Sequence, residues 1–196
     1  AILCAGLVGF TACDSFLDEE PKSSLTLDTY YKTSADIIGN VNYLYRDGAP
    51  DKMGNMTGAY RGSSLSVMNM VTGYFVNEYE GQEVDCSYAR QLTRQDFTQS
   101  CCNYLTNDTW KSCYKSINVA NAVIKYVDGV EMDNQAQYKA EARFFRALNY
   151  FYLVKMFGDV PMVTEPTEDA TLVEYPTRTA ASEVFNTVII PDLQFA

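Results

Sequence analysis

The sequence predicts an all-α chain of antiparallel helix pairs, with a long loop-rich insertion between the first and second helices. Three observations carry this. Apolar residues recur at helical spacing in four separate stretches. No segment is rich in strand signals. Between them, the region from 48 to 106 is punctuated by Gly48, Gly54, Gly58, Gly62, Gly73 and Gly81.

The first helix is expected from Ala35 to Arg46. Thr33 and Asp36 fit a capping box, in which the fourth residue's side chain satisfies a free N–H at the helix start. Ile37, Ile38, Val41, Leu44 and Tyr45 follow at helical spacing, and Asp47-Gly48-Ala49-Pro50 stops the helix. The insertion is read as loops with a short helix around Leu65 to Met70. The second helix is expected from Asp108 to Asp128, capped by Asn107 or Asp108. Trp110, Cys113, Tyr114, Ile117, Ala120, Ile124 and Val127 form its apolar stripe, which makes Trp110 a core residue, and Gly129 suits the position after its end.

The third helix is expected from Asn134 to Phe157. Tyr138, Ala142, Phe145, Tyr152 and Met156 define one face, and Phe144, Leu148 and Phe151 extend it round a second. A helix buried on two sides is sandwiched between neighbours, as in stacked helical arrays. The pattern Ala140-x3-Phe144-x2-Ala147 matches the second-helix half of a tetratricopeptide repeat, where small residues let helices approach closely. Gly158-Asp159-Val160-Pro161 stops this helix, and residues 159 to 178 form a Pro- and Thr-rich connection. Thr179 is placed as the cap of a fourth helix carrying Val184, Phe185, Val188 and Ile189, which Pro191 kinks or ends.

Composition narrows the function. The chain has 196 residues, 25 acidic against 15 basic, for a formal charge of −10. Phosphate contacts come mostly from Lys and Arg clusters, so no nucleic-acid partner is expected. The absence of histidine removes the commonest general base, the Ser-His-Asp and Cys-His pairs, and imidazole zinc sites. No metal and no cofactor is expected. With 15 Tyr and 10 Phe, the chain has the character of a binding module rather than a catalyst.

Residues 1–12, AILCAGLVGFTA, are uncharged and too short to span a bilayer. They read as the apolar part of a secretory signal whose basic start lies upstream. Small residues directly before Cys13 then resemble a bacterial lipobox, in which the cysteine carries the lipid. Residues 13–30 begin acidic and contain Pro21, which suits a tether, and the helical domain takes residues 31–196. The lipid on Cys13 would hold the protein at a membrane surface. Disulfides are allowed in an exported chain. A bridge from Cys101 or Cys102 to Cys86 is compatible with the sequence, and Cys113 is read as a small buried hydrophobe.

Several of these blocks coincide in order and spacing. Asp18-Glu19-Glu20-Pro21-Lys22-Ser23-Ser24 follows the lipobox-like start. Trp110 to Asn118 runs on into Ala120-Asn121-Ala122-Val123-Ile124. Ala140-Glu141-Ala142-Arg143-Phe144-Phe145-Arg146-Ala147-Leu148 continues through Tyr150 to Phe157-Gly158-Asp159-Val160-Pro161, and Arg178-Thr179 precedes Glu183-Val184-Phe185. Together they resemble the N-terminal part of SusD/RagB-type outer-membrane nutrient-binding lipoproteins, with the block from Ala140 to Pro161 the most specific. The resemblance covers essentially the whole chain except about 50 to 105. It implies a tetratricopeptide-like helical scaffold with loops on the opposite face. It also implies a lipid anchor at the cell surface, pairing with a SusC-type TonB-dependent outer-membrane channel, and capture of glycans, in some members peptides, without catalysis. Full members are longer, so the chain is expected to be a fragment.

Glycan capture needs flat aromatic rings for the C–H faces of sugars and polar side chains for their hydroxyls. The insertion offers Tyr74, Phe75 and Tyr79 as rings, with Asn77 and Arg61 as polar partners. Arg61 stands about where the resemblance implies a ligand-contacting arginine. The tryptophans of the starch-binding prototype are absent, and Tyr74, Phe75 and Tyr79 are the nearest substitutes. Each ring can instead pack the loops onto the helices. Arg143 and Arg146 are read as ion-pair partners between helices, with Glu141 the nearest carboxylate in sequence, and Arg178 as structural. The acidic run Glu78, Glu80, Glu83 and Asp85 is read as a solvated loop. The alternatives are an oligopeptide-capturing member of the same family, a secreted glycoside hydrolase using two acids of the 78–85 run, and a purely structural helical adaptor.

Overall fold

The computed structural model describes residues 26–46, 69–75, 91, 93–96, 100–168 and 176–196. Helix α1 (Leu27–Tyr30) is a single turn and α2 (Ser34–Arg46) follows it closely. Part of the stretch assigned to the tether is therefore helical. The reason is aromatic: Tyr31 is buried and stacks on Tyr126 at 5.3 Å. Burial pushes its hydroxyl up to about 12.

The start of α2 is organised by Asp36, as its spacing from Thr33 predicts. Its carboxylate accepts the Thr33 hydroxyl at 2.6 Å, the Thr33 N–H at 2.8 Å and the Lys32 N–H at 3.3 Å. The Thr33 hydroxyl thus donates to the carboxylate rather than accepting from the helix. These bonds, the Thr33 hydroxyl's first, hold the Asp36 carboxyl below its ordinary range. The stabilisation they provide is present above about pH 4. It is lost as the pH falls through the lower folded-state value. We expect Asp36→Asn to flatten the acid limb of the stability curve while leaving the neutral-pH fold intact. Thermal melts of both proteins between pH 2 and 7 test this, and an unchanged acid limb would refute the cap.

Helix α3 (Ser100–Tyr126) is the longest element, and a 3-10 turn over Val127–Gly129 extends it. It begins eight residues before the sequence-based start at Asp108, because Asn107 and Asp108 continue the helix instead of capping it. Gly129 closes the 3-10 turn without a positive φ. The left-handed residue is Asn134 at φ 61, immediately before α4 (Gln135–Phe157). Helix α4 ends at Gly158, whose φ of 71 suits a residue without Cβ and whose N–H bonds Val154 O at 2.9 Å.

Helices α3 and α4 form an antiparallel hairpin. The C-terminal end of α3, with Ala120 and Val123, and Val127 of the 3-10 turn meet Ala142 and Phe145 in the first half of α4. The middle of α3, with Cys113 and Ile117, meets Ala147, Tyr150 and Leu153 further along α4. Ile37, Val41 and Leu44 of α2 complete the first core. Val160, Val184, Val188 and Ile189 complete the second. Cys113 is fully buried, as its place on the apolar stripe predicts.

Two short strands, β1 (Val160–Pro161) and β2 (Arg178–Thr179), pair antiparallel across the connection. Thr179 is consequently a strand residue and does not cap the next helix. Helix α5 (Ala181–Val184) starts after Ala180, and its Ala181 N–H is accepted by Asp159 Oδ1 at 3.0 Å. A π-helical turn over Phe185–Ile189 leads into α6 (Ile190–Phe195). Ile190 N–H reaches back five residues to Phe185 O. This wider turn lies where Pro191, which has no N–H and crowds the preceding turn, would disrupt an α-helix, so the chain stays helical through the proline.

Candidate functional site

The described part of the insertion presents two of the five predicted ligand residues. Residues 69–70 form a helical turn and 71–74 reverse the chain. Thr72 donates its hydroxyl to Asn69 O at 2.6 Å and accepts the Tyr74 N–H at 3.3 Å. Gly73 occupies φ 77, where side-chain-bearing residues are strained, so the reversal needs a glycine. Gln95 ties the turn from outside, donating to Val71 O at 3.4 Å. At its tip Tyr74 is 89% exposed and Phe75 55% exposed. Two rings held in solvent by a braced turn can meet a flat apolar ligand face. Arg61, Asn77 and Tyr79 lie outside the described residues, as do Cys13, Cys86, the acidic run from Glu78 to Asp85, and the side chains of Cys101 and Cys102.

The helical scaffold is organised by a polar network whose members stand far apart in the sequence. Arg146 of α4 is buried and binds Asp192 of α6 through two bonds, Nε to Oδ2 at 2.6 Å and Nη2 to Oδ1 at 2.8 Å. Its Nη1 donates to Asn121 Oδ1 at 3.0 Å. Asn121 in turn donates to Val163 O at 3.0 Å and Glu165 O at 3.3 Å. The Tyr150 hydroxyl donates to Val163 O and accepts its N–H, at 2.8 and 2.7 Å. Tyr114 donates to Pro161 O at 2.7 Å, and Asn118 Oδ1 accepts Thr167 N–H at 2.7 Å. Side chains of the hairpin thus satisfy the backbone of the extended 161–167 segment. Burial pushes Tyr150 up to about 12 and raises Tyr114 further, so both hydroxyls keep their protons as donors. Lys125 and Tyr126 hold Glu168 at the segment's far end, and the Lys125 bond draws its carboxyl below the ordinary range.

This corrects the expected partner of the arginines, which is Asp192 and not Glu141. Glu141 accepts from Gln137 at 2.9 Å. Arg143 also approaches Asp192, at 3.9 Å. The missed signal was polar residues on apolar faces: Asn121 and Arg146 sit at core positions of otherwise apolar helices. Arg178 is structural, as predicted, bonding Asp159 O and lying 5.7 Å over Trp110. Trp110 itself is half-buried against Tyr114 and Phe157. Among the described residues, no group of acids or cysteines is placed to hold a metal ion, and no helix is long and apolar enough to cross a membrane.

A family model described as SusD-like, "Starch-binding associating with outer membrane", matches residues 15–196. The chain belongs to the SusD-like family. Its relatives include SusD-like protein P25 of Formosa agariphila, 26% identical, which it matches over 94% of this chain and 34% of that protein. A SusD-like protein of Bacteroides ovatus is 27% identical over 95% of this chain and 32% of its own length. A solved SusD superfamily structure from Parabacteroides distasonis superposes with a TM-score of 0.60 at 25% identity, covering 81% of this chain and 32% of that one. The chain therefore spans about a third of the length of the relatives it matches. The helical hairpin with its packed flanking helices is the SusD-like architecture expected from the block Ala140 to Pro161.

Proposed function

We propose that this SusD-like chain is part of a surface lipoprotein, anchored through Cys13, that captures glycans at the outer membrane. It hands them to a SusC-type TonB-dependent channel and breaks no bond. The observation that carries the reading is the family match over residues 15–196, described as starch-binding and associating with the outer membrane. The exposed pair Tyr74 and Phe75 supports a ligand face on the insertion, with Arg61, Asn77 and Tyr79 as further contacts. Stacking rings bind the apolar face of a sugar while polar side chains choose its hydroxyls.

The test is calorimetry of the protein without residues 1–13 against a panel of soluble polysaccharides and oligopeptides. We expect saturable binding to one glycan, weakened by about 0.5–1.5 kcal/mol in each of Tyr74→Ala and Phe75→Ala, the usual worth of an aromatic contact. Arg61→Ala should weaken it further. Binding to peptides alone would replace the ligand class. Release of shortened sugars would replace the non-catalytic reading. For the anchor, Cys13→Ser in cells should move the protein from the membrane to the soluble fraction.

A further inference from the structure

A cavity of about 620 Å³ lies at one end of the hairpin, between the start of α2 and the turn that leads into α4. It opens widely to solvent, and its volume falls in the range of small-ligand sites, roughly 300–1,000 Å³. No described residue of the insertion lines it, so it is separate from Tyr74 and Phe75. Its apolar part is built by Ile38, Met132 and Tyr138, all half-buried. Met132 and Tyr138 pack against the first core. Tyr138 stands in the first turn of the 23-residue α4, so its ring is carried on a rigid element.

The polar rim of the cavity, with Glu131, Asp133 and Asn134, is exposed. Polar side chains close by are engaged within the protein: Asp36 accepts from Thr33, Gln135 donates to Val130 O, and Asp128 pairs with Lys139. The rim differs. Among the described residues, the carboxylates of Glu131 and Asp133 and the side-chain amide of Asn134 meet no hydrogen-bond or ion-pair partner. Their bonding capacity is left for whatever enters the cavity.

These groups select a ligand chemistry. A half-buried ring with apolar neighbours suits the C–H face of a sugar. Carboxylates accept from its hydroxyls, and an amide both donates to them and accepts from them. Two carboxylates and no lining cation turn anions away. Exposed carboxylates in water hold a simple cation only weakly, so charge alone does not make this an amine site.

We propose that this cavity is a second sugar site, which takes an uncharged sugar unit against Tyr138 and binds its hydroxyls through Glu131, Asp133 and Asn134. The proposal rests on the reading of the protein as a glycan binder. Its consequence is grip on a chain: a polysaccharide that reaches both sites is held more tightly than either site holds a short piece.

Calorimetry tests it on the full-length protein without residues 1–13, with maltotriose, cellotriose, laminaritriose and xylotriose as probes. The protein is compared with a version carrying Tyr74→Ala and Phe75→Ala, which lacks the insertion's rings. One trisaccharide should still bind that version. Adding Tyr138→Leu, which keeps apolar packing and removes the ring, should weaken this binding roughly two- to tenfold. Asp133→Ala and Asn134→Gly should weaken it as well, and glycine suits the φ of 61 at position 134, so the fold is kept. Binding that none of these three changes alters overturns the proposal. Binding lost entirely with Tyr74 and Phe75 also overturns it, while glycan capture by the insertion stands. If the unaltered protein binds none of the four probes, both sugar sites fall. Saturable binding of butylammonium ion that is lost in Asp133→Ala would make the cavity an amine site and overturn the proposal too.

Discussion

Arg146→Ala is expected to destabilise the fold by about 3–5 kcal/mol, the usual cost of removing one member of a buried ion pair. The effect is large because two partners, Asp192 and Asn121, lose their donor together. Asp192, 2% exposed, would be left with only Arg143, at 3.9 Å, as a cationic neighbour. Asn121 Oδ1 would lose its bond at 3.0 Å, loosening the side chain that holds Val163 and Glu165. A domain has only about 5–15 kcal/mol in total, so the variant should sit close to unfolding. Urea denaturation followed by circular dichroism measures it. Arg143→Ala is the matched control: its side chain is more exposed and its ion pair longer, so its loss should be much smaller. The double change Arg146→Met with Asp192→Leu should recover part of the stability, because it removes both members of the close buried pair and leaves only the more exposed Arg143 without its carboxylate. If Arg146→Ala and Arg143→Ala cost the same, the network does not hold the fold as described.

Leu153→Ala should cost about 2–5 kcal/mol, the range for emptying a leucine site in a packed core. Leu153 is fully buried in the second core, among Cys113, Ile117, Tyr150, Val160 and Val184. These neighbours come from α3, α4, β1 and α5, so the cavity would open where the hairpin receives both the strand and the last helices. Rigid surroundings cannot collapse into such a space, which places the expected cost towards the upper part of the range. Phe151→Ala, two residues earlier but 39% exposed, should cost far less in the 196-residue chain. Equal losses for the two would contradict the assignment of faces on α4. The comparison is a pair of urea midpoints, read at an unchanged slope.

Much of the helical order was legible because its signals are local. The apolar spacing of α2, the partnership of Thr33 with Asp36, the stop at Gly158 and the buried Cys113 all depend on residues within a few turns of one another. The failures share the opposite property. The cap of α5 comes from Asp159, across the β1–β2 pair, so nothing near Thr179 announced it. The partner of Arg146 stands on α6, 46 residues along the chain, where proximity in sequence favoured Glu141. The start of α3 was placed at Asp108 because Asn107 and Asp108 are good caps, but helix propagation overrides that local preference. Tyr74 and Phe75 were recognisable as candidate rings from residue type. Their exposure depends on the turn at Gly73 and the brace from Gln95.

Sequence by itself determined the helical class, the hairpin of α3 and α4 with its stops, the exclusion of histidine chemistry and the resemblance to a family. Those follow from composition and from periodicities that a helix expresses within a few turns. Only the tertiary structure decided which side of α4 is covered and which carboxylate meets Arg146. Only it showed how the 161–167 backbone finds its hydrogen bonds and that Pro191 is absorbed by a π turn. Each of these is a pairing between groups far apart in the chain, and the energy of a buried polar group is set by the neighbour that reaches it in space.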